Sequence, residues 1–205
     1  MKRKFLAALG LGVTAALAIP AVAPASAATK PTLAQILLSD SKHDAKNGFD
    51  SNPNDFDIVT QAVLLFPDLT SAASDPKANL TVFLPTDYAF RQLARDLTGK
   101  TIYKESEIFN AVASLGTDTV KAVLAYHIIG GARIDYAAAL KADGASLTTL
   151  GGGTITVDIQ GKHFKRVVLV DKDPDLRDPK VIVANIKASN GIAHAIDRVL
   201  LPINA

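Results

Sequence analysis

The chain contains no cysteine, no tryptophan and no methionine beyond Met1. Without cysteine there can be no disulfide, no thiol nucleophile, no thiolate metal site and no lipid attached through a cysteine. Without tryptophan and methionine, the core has to be built from Val, Ile, Leu, Ala and the eight Phe less Phe5. A charge excess of one sign is also lacking, with 22 Lys and Arg against 20 Asp and Glu. No basic patch is interleaved with aromatics, so nothing supports nucleic-acid binding. No polybasic stretch flanks an amphipathic segment, which argues against a membrane-surface role.

What is present begins with a leader. Lys2, Arg3 and Lys4 precede an apolar run from Phe5 to Ala23, and Ala25-Ser26-Ala27 offers a cleavage site. This is the pattern of a signal peptide at 1–27, with export by the general secretory route. A retained anchor is the alternative, since the run is near spanning length. Pro20, Pro24 and the small-residue site favour cleavage. Loss of the leader lowers Lys plus Arg from 22 to 19, leaving a mature chain near neutral. A short arm at 28–31, one domain at 32–202 and a tail at 203–205 are expected, without a C-terminal anchor. The mature length suits a single core, and a monomer is expected.

Helical spacing marks Thr32–Lys42 and a second helix around Phe56, Val59, Val63 and Phe66, capped by Asn54 or Asp55 and ended by Pro67. Leu80–Leu84 reads as a buried strand. Pro85 stops it, Thr86 or Asp87 caps the next helix, Phe90 faces inward, and Gly99 closes the helix. Helices near Glu105–Leu115, Thr117–His127 and Asp135–Lys141 follow. Beyond Ser146 the period falls to 2, with strands expected at Thr154–Ile159, His163–Val170, Val181–Ala188 and Ile192–Leu200. Asn190-Gly191 between the last two signals a hairpin turn with positive φ. Helices first and strands later indicate an α+β domain.

Three segments carry a family likeness. They are Leu80–Phe90 (LTVFLPTDYAF), Ala125–Gly131 (AYHIIGG) and Asn190–Pro202 (NGIAHAIDRVLLP). In order and spacing they resemble the opening, Tyr-His and closing motifs of one fasciclin-like domain over roughly Pro31–Pro202. The resemblance implies a wedge of N-terminal helices packed on a mainly antiparallel sheet. It also implies adhesion at a cell surface or matrix, through protein or polysaccharide partners. The alternative implied role is an extracellular carrier of an apolar small molecule, such as a carotenoid or lipid. In the family the Tyr-His segment is implicated in integrin recognition; here Tyr126 and His127 read as packed residues.

Catalysis finds no support. There is no G-x-S-x-G elbow, no P-loop and no G-x-G-x-x-G. Gly151-Gly152-Gly153 opens a strand and reads as a turn. The four histidines are scattered, without zinc-ligand spacing. His127 and His194 sit in apolar runs, where a neutral ring donating to a carbonyl or carboxylate is expected. Asp197 reads as a hydrogen-bond acceptor. Asp171, Asp173, Asp175 and Asp178 form the one stretch suggestive of Ca²⁺, but Leu176 stands where an EF-hand has Gly and Ile182 where it has Glu. The expectation is a solvated loop with weak calcium binding or none, and no other cofactor. Asn79-Leu80-Thr81 is a formal glycosylation sequon at the start of a buried strand, and is discounted. Recognition is expected on loops, with Phe49, Arg133, Tyr136 and Arg177 as candidate contacts.

Overall fold

The computed structural model describes residues 30–40 and 48–202. The expected leader, the tail at 203–205 and His43 lie outside them. The helical half comes first. Its elements are α1 (Leu33–Asp40), α2 (Asp57–Leu64), α3 (Pro67–Ser74), β1 (Leu80–Pro85), α4 (Asp87–Thr98), α5 (Glu105–Ala113) and α6 (Thr117–Tyr126). Then come β2 (Ile128–Gly130), α7 (Tyr136–Ala139), β3 (Ser146–Thr148), β4 (Thr154–Gln160), β5 (Arg166–Val170), β6 (Val181–Lys187) and β7 (Gly191–Ile196).

The strands form two sheets, ordered β2-β1-β7-β6 and β3-β4-β5. The pairing is antiparallel except at the centre of the first sheet, where β1 runs parallel to β7. Both central strands are buried along their whole length, as their continuous apolar runs require. One core, holding Ile58, Phe90, Ile108 and Leu124, lies under the helices. A second core holds Phe83, Tyr126, Ile155, Leu169, Ile196 and Leu200. The domain is α+β, as the change of period implies.

Several local expectations are corrected. Pro67 does not merely end α2. It is the first residue of α3, where a missing N–H is harmless. Neither Asn54 nor Asp55 caps α2. Phe56 holds that position without a side-chain bond, and the free amides of Asp57 and Ile58 donate instead to the Asp87 carboxylate at 3.1 and 2.9 Å. Thr86 caps α4, accepting from Ala89 N at 3.3 Å. The two adjacent motif residues therefore cap two different helices. β5 begins only at Arg166, which leaves Phe164 in an exposed turn. β7 ends at Ile196, short of the expected Leu200, whose N donates to His127 Nε2 at 3.0 Å.

The Asn190-Gly191 turn is corrected most sharply. Neither residue has positive φ. Asn190 is fully buried and ties three segments together. Its Oδ1 accepts from Leu33 N at 2.9 Å, and its Nδ2 donates to the carbonyls of Ala73 and Asp75 at 2.8 and 3.0 Å. Gly191 is needed for close approach, since a Cβ there would lie 2.7 Å from Leu80 O. Among the described residues other than glycine, positive φ falls to Asn185, at 62°, in the irregular stretch of β6.

Candidate functional site

The three motifs converge in the fold, but on a packed junction. Phe83 N donates to His127 O at 3.0 Å, and Phe83 is in register with His194 across the parallel pair. His127 Nδ1 lies 2.7 Å from Val123 O, and its Nε2 accepts from Leu200 N. This fixes the proton on Nδ1, and burial pushes the ring's pKa down to about 4. His194 has the opposite tautomer. Its Nε2 donates to Ile134 O at 2.8 Å, and its Nδ1 faces Asn185 N at 3.4 Å. Burial lowers its pKa as well. The Tyr126 hydroxyl donates to Thr154 O at 2.6 Å, and burial raises it to about 12. Gly153 gives that ring room, because a Cβ there would fall 2.7 Å from the ring edge.

Asp197 accepts from Lys180 N at 2.7 Å and from Arg177 Nη2 at 2.8 Å. Arg177, a candidate contact, is thus engaged within the fold. The other candidates are also partly committed. Arg133 is exposed and donates to Ser189 O. Tyr136 N donates to Asn185 Oδ1. Phe49 is half-buried and packs its ring 5.5 Å from that of Phe109. In the Asp171–Asp178 loop three of the four carboxylates turn to backbone amides. Asp171 accepts from Asp173 N and Leu201 N, Asp173 from Asp175 N and Leu176 N, and Asp178 from Asp171 N.

A different region gathers chemistry that none of those expectations names. At one end of the helical half lies a depression of about 520 Å³, lined among others by Asp50, Ser51, Arg91, Tyr103, Glu105 and Ser106. Tyr103 is 73% exposed. Its ring sits under the Arg91 guanidinium at 5.7 Å, and its carbonyl accepts from Arg91 Nη2 at 3.3 Å. The floor is acidic. Asp50 N donates to both Asp57 Oδ2 at 3.0 Å and Glu105 Oε2 at 2.8 Å. Asp87 N and Tyr88 N donate to the carbonyls of Asp55 and Pro53, which closes the loop onto the start of α4. Glu105, the first residue of α5, is only 1% exposed, and Asp87 is fully buried.

This crowding raises the carboxyls. Burial, then Asp55 and Asp50, pushes Asp57 up to about 6. Burial, then neighbouring Asp charges, pushes Glu105 up to about 7. Asp87 is raised further, first by burial and next by its hydrogen bond with the Asp55 carboxyl. Among the described residues, none of these five carboxylates has a Lys or Arg ion-pair partner. The sequence signal for this site is thin. Asp50, Asn52, Asn54 and the acids at 55 and 57 crowd eight residues, but Asp87 and Glu105 come from elsewhere.

A second, apolar cavity of about 140 Å³ lies between α4, α5 and α6. Phe90, Leu93, Leu97, Leu115 and Val120 are among its walls, and Leu97 and Leu115 reach the surface. Among the described residues, no helix is long and apolar enough to cross a membrane.

Comparison with known proteins accords with this architecture. The model of the fasciclin domain family matches residues 55–202. A curated relative, Protein sll1483 of Synechocystis, is 27% identical over 135 residues, covering 66% of this chain and 61% of that protein. The chain thus spans about three fifths of that relative's length. Among solved structures, a FAS1 domain pair from the insect cell adhesion molecule fasciclin I superposes with a TM-score of 0.60 at 16% identity. It covers 84% of this chain and 51% of the insect chain, a likeness of fold.

Proposed function

Since the chain belongs to the fasciclin domain family, we propose that it is an exported binding module that adheres to extracellular protein or polysaccharide and catalyses no reaction. The observation that carries this reading is the depression beside Tyr103. An exposed aromatic face held by Arg91, with the hydroxyls of Ser51 and Ser106 and the Asp50 carboxylate around it, is suited to a hydroxyl-rich ligand. The ring offers stacking area, and the polar groups offer donors and acceptors. Export rests on the leader, and N-terminal sequencing of the released protein should read from Ala28. Binding is tested on immobilised polysaccharides and on extracts of the native surface. Tyr103→Ala should weaken adhesion by about tenfold, the size of one good aromatic contact, with unchanged unfolding. Equal adhesion of the two proteins would remove this surface from the proposal.

The apolar cavity supports the second reading, a small-molecule carrier. A cavity near 150 Å³ accepts a benzene-sized group. It would therefore take one ring or chain end of a larger apolar molecule, not the whole of a carotenoid. Mass spectrometry of an organic extract of natively purified protein tests this. A stoichiometric lipid or pigment, with wild-type adhesion in Tyr103→Ala, would put the carrier in place of the adhesin.

A further inference from the structure

We propose that Asp50, Asp55, Asp57, Asp87 and Glu105 form a binding site for a hard divalent cation, Ca²⁺ foremost. Two groups of carboxylate oxygens converge here, one from Asp50, Asp57 and Glu105, the other from Asp55, Asp87 and Glu105. Within each group the oxygens lie within 4.8 Å of one another. Ca²⁺ binds oxygens at about 2.3–2.6 Å and takes six to eight of them, so oxygens on opposite sides of the ion stand roughly 5 Å apart. Glu105 belongs to both groups and would stand at the centre of the site.

A cluster of acids alone would not argue for an ion, since acids can protonate or be paired. The independent observation is Glu105 itself. It is 1% exposed and its Oε2 accepts from Asp50 N, yet its Oε1 is buried without a hydrogen-bond partner among the described residues. A buried carboxylate oxygen left bare is costly. An ion would satisfy it and would also offset the mutual repulsion of the five acids. Oxygen donors alone, with no nitrogen or sulfur among them, select a hard cation over zinc or copper. The Asp50 side of the cluster borders the open depression, which supplies an entry path. This site is separate from the Asp171–Asp178 loop and does not depend on which ligand the depression takes.

The test titrates CaCl₂, and MgCl₂ in parallel, into chelator-treated protein by calorimetry and thermal melting near neutral pH. Ca²⁺ should bind at one site and raise Tm by mass action. Glu105→Gln should lower the affinity by at least about tenfold while the apo protein melts no lower than wild type, because a buried acid has been removed. Should Glu105→Gln fail to fold, Asp50→Asn, at the rim, is the second variant and should also weaken Ca²⁺. Asp173→Asn should leave the Ca²⁺ affinity unchanged, whatever it does to the apo Tm. Three results would each overturn the site: no heat and no Tm rise at about 10 mM Ca²⁺, roughly tenfold beyond the weak end for extracellular modules; Ca²⁺ binding untouched in both Glu105→Gln and Asp50→Asn; or binding abolished by Asp173→Asn.

Discussion

Asn190 offers a decisive perturbation, because two explanations of it predict opposite outcomes. If Asn190 serves a turn with positive φ, Asn190→Gly should be neutral or slightly favourable, since Gly adopts such angles freely. The structure gives it other work. Its side chain makes three hydrogen bonds, to Leu33 N at the start of α1 and to the carbonyls of Ala73 and Asp75 at the end of α3. Each such bond contributes about 1 kcal/mol net, and a partner left buried and bare costs more. Leu33 is buried and its amide would find no water, whereas Asp75 is exposed and its carbonyl would recover some. The expected loss is about 3 kcal/mol for Asn190→Gly and for Asn190→Ala alike. That is a Tm drop of roughly 10 °C in a domain of this size. Urea unfolding followed by circular dichroism measures it, with the m-value held constant as the check that only stability has changed. A loss below about 1 kcal/mol in Asn190→Gly would refute the tie between α1, α3 and the β6–β7 connection.

Three further outcomes follow from the geometry. Gly191→Ala should cost about 1–3 kcal/mol by overpacking, because its Cβ would press on the rigid Leu80 carbonyl; denaturant midpoints decide it. Thr86→Ala should cost about 1 kcal/mol as the loss of a cap, and a neutral result would show that Ala89 N finds another acceptor. His127 should titrate near pH 4 by NMR. Between the ordinary value of about 6.5 and that pH, the unfolded chain binds a proton that the folded chain refuses, so this group's contribution falls with falling pH, by about 3 kcal/mol in full. A ring titrating near its ordinary value would mean that it is not sealed.

How much was legible in the sequence depends on whether a residue acts on its neighbours or at a distance. The α4 entry was legible, because Pro85, Thr86, Phe90 and Gly99 act within one strand-turn-helix unit. Apart from α3, which went unread because Pro67 looks like a stop and not a first residue, the helix spans were legible to within a few residues, and so was the shift from helices to strands. The division into two sheets was not, because β1 sits at the centre of one of them through pairings with β2 and β7. Asp87 shows the limit most clearly. As a local residue it is a second capping candidate for its own helix. In the fold it caps α2, whose sequence provides no usable cap of its own.

The acidic floor and the aspartate loop reverse the order in which sequence ranks them. Asp171, Asp173, Asp175 and Asp178 are contiguous, so they attract notice as a cation loop. Contiguity is also what lets Asp171 and Asp173 reach backbone amides two or three residues on. The acids of the floor come from three separate segments: the 50–57 loop, the start of α4 and the start of α5. Each alone has an ordinary explanation, as a turn residue, a cap, or an acid in the first turn of a helix. Only closure of the loop onto α4, through the Asp87 and Tyr88 amides, brings them within reach of one another. Glu105 is then sealed with one oxygen unpaired. That combination costs stability without a ligand, and it is the feature of this chain that most calls for one.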